Sequence, residues 1–410
     1  MQRLFWKYFF RLVVFTGAVA QWAVLAWIVV VVGGVSLPWP AHLVGPLLFH
    51  LLNRSVLQPR PGASDPRRRR LERAYIGVVF TCLFGLLALL ANGLVWGSVA
   101  AALHSASLAG FHVAAADVVG PAGVTGTMAL LFVSAALAHG YGPGQGRVRV
   151  LEIDVAVTGL PAAFDGFRLV QLSDIHLGNF MDEVALATHV DLVNGLGADL
   201  VCITGDITDG LGHAERTFPV LGRLRARCGV VATLGNHDFY TGADEVTATL
   251  RRLTPIRVLR NETLMLEAGG ERLHILGVDD AGLDWARGVR EHEALPPLAA
   301  RVDPGEAAIL LSHRPDLFAQ AAGFGIALVL SGHTHGGQLA LPWPTRRPTS
   351  LAHFITDFPR GTYALGGSTL HVNLGLGVTG QPVRVFSPRE VTVITLRPTP
   401  IHTNPTGDPA

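Results

Sequence analysis

From Leu12 to Asn53 the chain contains no Asp, Glu, Lys or Arg. A helix of about 20 residues crosses the hydrocarbon core of a bilayer, so this stretch is long enough for two passes. The first is expected at about 12–33, rich in Val, Trp and Ala, and is too long and too apolar for a signal-peptide core. Leu37-Pro-Trp-Pro40 then breaks the helix. The second, at about 41–52, is short and carries Gly45-Pro46 and His50, which leaves it open to two readings: a full span, or a re-entrant or interfacial segment. Further spans are expected at about 74–101 and 124–138, so residues 1–139 read as a transmembrane anchor of about four passes.

Charges at the flanks orient the anchor. Arg3, Lys7 and Arg11 precede the first span, and Arg60, Arg67–Arg70 and Arg73 follow the second among Pro59, Pro61 and Pro66. Such a loop is a positive-inside signal, and it also suits anionic lipid headgroups. Four passes place the following domain on the cytoplasmic side of the inner (plasma) membrane. If the second segment does not cross, that domain moves to the outer face. His42, His50, His104 and His112 fall near span ends, where an interfacial polar role is expected. The spans show no internal repeat or buried charge pair of the kind a transporter uses.

After a Gly-rich linker, 140–147, the composition becomes that of a soluble domain at 148–397, followed by a Pro/Thr/Gly tail at 398–410 that reads as disordered. A net charge of +1 carries no polyanion-binding signal, and no basic groove for nucleic acid is legible. Cys82, Cys202 and Cys228 show neither disulfide nor C-x-x-C spacing. Short apolar runs, at 148–157, 167–172, 200–203, 230–234, 273–278, 308–311 and 327–330, alternate with helical stretches expected at 183–196, 214–227 and 243–253. That alternation predicts an α/β (α+β) domain whose functional groups gather at strand ends.

Five of those runs end in ligand-type residues. The first leads into Ser173-Asp174-Ile175-His176, where positions i and i+2 on an extended backbone would share a face. Asp206 follows the second, with Asp209 nearby; Asn236, His237 and Asp238 follow the third; His313 the fourth; His333 and His335 the fifth. Asp, Asn and imidazole together suit Mn, Fe or Zn. One such residue after a strand is ordinarily a turn residue, whereas five successive strand ends point to a metal centre.

The ordered blocks SDIH, GDITDG, GNHD, SH and GHTHGGQ, from about Arg149 to Leu396, resemble the calcineurin-like metallophosphoesterases, and with the anchor their transmembrane bacterial branch. The resemblance implies a four-layer αββα sandwich and a hydrolase with two divalent ions (Mn, Fe or Zn). Asp174, His176 and His335 would hold the first ion, Asp206 would bridge, and Asn236, His313 and His333 would hold the second. His237 would contact the substrate phosphate, with Asp238 orienting it. Two ions about 3.5–4 Å apart clamp a phosphoester and turn a bridging water into the attacking hydroxide.

The chain departs from the family at Leu374 of NLGLG, where an Arg that could reach phosphate often stands. Between Gln338 and Thr362 it carries a Pro-rich insert with Trp343, Arg346, Arg347, Phe354 and Phe358, either a plain surface loop or a membrane-facing lip for a phospholipid or lipid-linked substrate. Alternatives to a lipid-linked phosphoester are a soluble phosphomonoester or phosphodiester, or a membrane sensor that binds metal without turnover. Oligomeric state is not legible.

Overall fold

The computed structural model describes residues 2–57, 66–108, 116–178, 180–282, 284, 287–343 and 346–399. They fall into two compact units, Met1–Tyr141 and Gly142–Ala410. Residues 58–65 of the Arg-rich loop, His112 and the tail beyond 399 lie outside the described residues.

The first unit is helical: α1 (Gln2–Trp27, running on as π-helix Ile28–Val32), α2 (Ala41–Leu57), α3 (Pro66–Leu108) and α4 (Ala116–Tyr141). Three stretches among the described residues, Arg11–Val32, Leu71–Ser105 and Val118–Gly146, are long and apolar enough to cross a membrane. The expected second span falls in α2, whose helix runs past Leu52 to Leu57; at 17 residues it is not one of these three stretches. Leu12, Phe15, Leu47, Leu48, Leu87, Leu94 and Phe132 are exposed, so the helices present apolar side chains outward as a lipid-facing surface does.

Polar groups turn inward. Asn53 Nδ2 donates to the Val14 carbonyl at 3.2 Å, the Tyr75 hydroxyl donates to Asn53 Oδ1 at 2.6 Å, and Gly77 faces the Tyr141 ring. The starts of α1 and α3 and the ends of α2 and α4 therefore lie at one end of this bundle. At the other end Trp27 Nε1 donates to Thr127 Oγ1 and Asn92 Nδ2 to the Ala122 carbonyl. His42 meets Trp22, His50 packs on Phe15, and His104 is exposed.

The second unit contains β1 (Val148–Val157), β2 (Arg168–Leu172), β3 (Leu200–Thr204), β4 (Val230–Thr233), β5 (Arg257–Val258), β6 (Glu262–Ala268) and β7 (Glu271–Gly277). It continues with β8 (Ala307–Leu311), β9 (Leu328–Ser331), β10 (Ala340–Trp343), β11 (Arg346–Ser350), β12 (Gly361–Leu365), β13 (Ser368–Val372) and β14 (Arg389–Pro398). Two six-stranded sheets form, in the orders β1-β14-β2-β3-β4-β5 and β12-β13-β9-β8-β7-β6, with β10 and β11 as a separate hairpin. Both are mixed: β2 to β5 are parallel and β14 runs antiparallel to β2, while β13, β9, β8 and β7 are parallel between antiparallel edges.

Period-two side-chain alternation makes the layers. In β3, Leu200 and Cys202 pack between the sheets, while Val201 and Ile203 face Leu186, Val190, Phe218 and Leu250 on the helices. In β8, Ala307, Ile309 and Leu311 point to the inter-sheet core, and Ala308 and Leu310 to Leu295, Leu317 and Phe318. Strands covered on both faces need no polar side, which is why the sequence shows continuous apolar runs there. The result is the expected four-layer αββα sandwich. One helix is shorter than expected: Ala214–Leu221 stops before Arg227, because the Gly222 N–H closes on Phe218 and the chain turns.

Candidate metal centre

All five ligand-bearing segments leave the C-terminal ends of parallel strands: β2, β3 and β4 in one sheet, β8 and β9 in the other. Two facing sheets thus bring their loops to one edge of the sandwich. Asp174 and His176 converge by a different local route from the one expected. The strand ends at Leu172, and both residues take left-handed backbones, φ 49° and 50°, as do Asp206, His333 and His335. Such conformations cost an L-residue about 1–2 kcal/mol each. They are held by backbone bonds, with the Asp174, His176 and Leu177 N–H groups donating to the carbonyls of Gly205, Asp206 and Ile207. Close approach excludes side chains between the loops: a Cβ on Gly205 would lie 2.6 Å from His313 Nδ1, and one on Gly332 would overlap Ser173 and Asp174.

Three groups of metal-type ligand atoms result among the described residues: Asp174, His176 and His335; Asp206, His313 and His333; and, at the rim, His176, Asp209 and His237, the atoms of each within 4.8 Å of one another. In the first, His176 Nε2 and His335 Nε2 are 3.1 Å apart and Asp174 Oδ1 is 3.3 Å from His335 Nε2. In the second, His313 Nε2 lies 3.2 Å from both Asn236 Oδ1 and His333 Nδ1. Asp206 faces both groups, with Oδ2 3.5 Å from His176 Nε2 and Oδ1 3.4 Å from His313 Nε2. All seven expected ligands are brought together.

The outer ring nitrogens show that this donor set fits a cation. His313 Nδ1 donates to the Thr204 carbonyl at 2.9 Å, and His176 Nδ1 donates to Asp209 Oδ1 at 2.7 Å. In the neutral rings Nε2 is then the lone-pair nitrogen, and it points at carboxylates and at other acceptors. Positive charge is what such a cluster lacks. Burial alone would depress His176, yet the Asp209 hydrogen bond and the charges of Asp206 and Asp174 hold it up at about 9. Burial likewise opposes, and Asp206 outweighs it, to hold His313 at about 10. Divalent ions held here would bind the neutral rings, and each would then displace a proton at pH 7. Affinity for Mn²⁺ is therefore expected to rise about tenfold per pH unit per site between pH 6 and 8, and to level off above those pKa values. Calorimetry in two buffers of different ionisation enthalpy checks this; binding without proton release would disprove it.

The expected pairing of His237 with Asp238 is corrected. Asp238 is fully buried, and its carboxylate accepts from the Gly235, Ile207 and Thr208 amides at 2.9–3.1 Å, which staples the GNHD turn to the loop after β3. Burial, reinforced by Asp206, raises it to about 7. His237 instead pairs through Nδ1 with Asp209 Oδ1 at 2.8 Å, while its backbone N–H donates to Asp206 Oδ1. One oxygen of Asp209 thus holds both His176 and half-exposed His237. The two imidazoles hold Asp209 at about 2 against the effect of burial. The signal for it was the second carboxylate of GDITDG, three residues after Asp206.

Sequence reasoning also missed the buried arginines behind the centre. Leu374 is buried, and Arg384 donates to the carbonyls of Leu374, Gly375 and Gly377 of that loop and lies 3.4 Å from His335 Nδ1. Wholly enclosed, it braces the loop and does not reach a substrate.

A family profile described as "Calcineurin-like phosphoesterase" matches residues 167–337. The chain is 34% identical over 271 residues to the "Uncharacterized metallophosphoesterase YkuE" of Bacillus subtilis, covering 63% of this chain and 91% of that one. It is 31% identical over 253 residues to an "Uncharacterized metallophosphoesterase" of Aquifex aeolicus, covering 61% and 92%. A "Transmembrane protein with metallophosphoesterase domain" of Danio rerio is 33% identical over 288 residues, covering 66% of this chain and 62% of that protein.

Proposed function

Since the chain belongs to the calcineurin-like metallophosphoesterases, we propose that it hydrolyses a lipid-linked phosphoester at a dinuclear centre while anchored in a membrane. The observation that carries the dinuclear part is the position of Asp206, one carboxylate oxygen toward each ligand group. Asp174, His176 and His335 would hold one ion and Asn236, His313 and His333 the other, with Asp206 shared. When bound, the ions supply Lewis acidity to the phosphoryl oxygens and acidify a water for in-line attack. His237 would stand over the phosphate, its Nδ1 donating to Asp209, and its Nε2 would donate to a phosphoryl or leaving oxygen when the ring is protonated.

The lipid part rests on the segment directly after His335. The hairpin β10–β11 and the one-turn helix Leu351–Phe354 carry Leu341, Leu351 and Phe354 at 63%, 68% and 83% exposure. Residues three apart eclipse in a 3₁₀ turn, so Leu351 and Phe354 share a face. The side chains of Trp343, Arg346 and Arg347 lie outside the described residues. The tether Gly142–Arg147 separates the last apolar helix from β1 by only a few residues. An apolar lip suits a substrate whose apolar part stays in the bilayer.

The test is Mn-supplemented hydrolysis by the full chain in vesicles, over a panel of phosphomonoesters, phosphodiesters and phospholipids, with His335→Ala as the metal-loss control. Leu341, Leu351 and Phe354 all changed to Ser should cut turnover of a lipid-anchored ester about tenfold and leave a water-soluble ester unaffected. Equal loss on both, or on neither, rejects the lipid reading in favour of a soluble substrate. We place the catalytic unit on the cytoplasmic side, because Arg11, Arg54 and the end of α4 belong to one end of the helical bundle. Labelling of an engineered exposed cysteine from outside intact cells would reject that side.

A further inference from the structure

The first residues of the catalytic unit are bonded into the back of the metal centre. Gly142–Gly146 leads from the last apolar helix into β1, and Val148 pairs with Arg389 at the start of β14. Arg389 is 7% exposed, and among the described residues no carboxylate lies within ion-pair distance of it. Its donors go to neutral oxygens instead. Nε donates to the Gln145 carbonyl at 2.9 Å, Nη2 to Gln145 Oε1 at 3.1 Å, and Nη1 to the Leu376 carbonyl.

Leu376 lies in the loop that carries the backbone of Asp174. Its N–H donates to the Ser173 carbonyl, and the Gly377 N–H donates to the Asp174 carbonyl at 2.6 Å. Arg384 grips the same loop from the other side and lies against His335. A continuous set of bonds therefore runs from Gln145 through Arg389 and Leu376 to Asp174. A buried guanidinium leaves its donors unsatisfied at high cost, so withdrawing Gln145 would force Arg389 to find other acceptors and release the loop.

We propose that Gln145 and Arg389 are positioning residues that couple the membrane tether to the Asp174–His176–His335 half of the metal centre. This rests on the two-ion reading of the site. Binding of Mn²⁺ to the purified full chain in detergent, followed by titration calorimetry, tests it. Inserting Gly-Ser between Gly146 and Arg147 takes Gln145 out of register with Arg389. The same insertion between Tyr141 and Gly142 lengthens the tether but leaves the pair intact. The first insertion should weaken one of the two Mn²⁺-binding steps about tenfold, the range for residues that support metal ligands, and leave the other step unchanged. The second insertion should alter neither step. Gln145→Ala, which removes the Oε1 acceptor but keeps the backbone carbonyl that takes Arg389 Nε, should weaken the same step by a smaller factor.

Equal effects of the two insertions, or two unchanged binding steps in both the insertion after Gly146 and Gln145→Ala, overturn the coupling. A wild-type chain that takes up two Mn²⁺ in separate steps but shows no such difference defeats this proposal alone. A wild-type chain that takes up no Mn²⁺ defeats the two-ion reading and this one with it.

Discussion

Asp206→Asn is expected to lower hydrolysis by about 10³-fold or more and to reduce bound Mn²⁺ from two ions to one. That loss corresponds to roughly 4 kcal/mol of transition-state stabilisation. The direction follows from the partners of each oxygen. Oδ1 accepts from the His237 amide at 2.9 Å, so an Asn side chain would keep its oxygen there and turn its NH₂ toward His176 Nε2. A donor then occupies a position where an acceptor is required, and one negative charge is gone from a buried cluster. Elemental analysis of the purified chain and a Mn-supplemented assay give the two readouts. Two ions retained with activity within tenfold of wild type would remove Asp206 from its shared role. A wild type inert toward every ester while binding two ions would favour the sensor alternative.

Asp209→Asn is expected to lower turnover by about 10²–10⁴-fold, the range for losing a carboxylate that orients a catalytic imidazole. The residue is at the rim, its carboxylate about a quarter exposed, so stability should change little. An amide oxygen can still accept from His176 and His237, but it supplies no charge. His176, held up at about 9 chiefly against burial by its bond to Asp209, should titrate at lower pH, and proton release on Mn²⁺ binding should shift down with it. Mn²⁺ affinity at high pH should fall about 10–100-fold. If turnover falls while the pH dependence of Mn²⁺ binding stays as in wild type, Asp209 acts on His237 alone.

The seven candidate ligand positions were legible because each lies just past a short apolar strand, and a strand end is a local feature of sequence. Their grouping followed from chain order only through resemblance to a family. Asp209 and Asp238 were harder, since both are carboxylates beside ligand residues. Which one meets His237 depends on the turn from Gly235 to Asp238, which points one carboxylate inward onto three amides. The extended i, i+2 geometry expected for Asp174 and His176 gave way to left-handed residues, because backbone bonds to the Gly205–Ile207 segment override local preference. For α2, hydropathy marked an apolar stretch. In the structure the helix begins just past Pro40, and Asn53 within it donates to the Val14 carbonyl of α1.

Sequence by itself determined the two-part organisation, the strand-helix alternation and the residue types of the metal centre, since hydrophobic period and charge distribution are properties of neighbours along the chain. Tertiary structure alone decided which carboxylate holds His237, how Asp206 faces both ligand groups, and that Arg384 and Arg389 brace the loop behind Asp174. Those choices join residues up to some 240 positions apart, as Gln145 and Arg389 are. They depend on which donors and acceptors burial forces to pair, and only the folded packing of the two sheets specifies that.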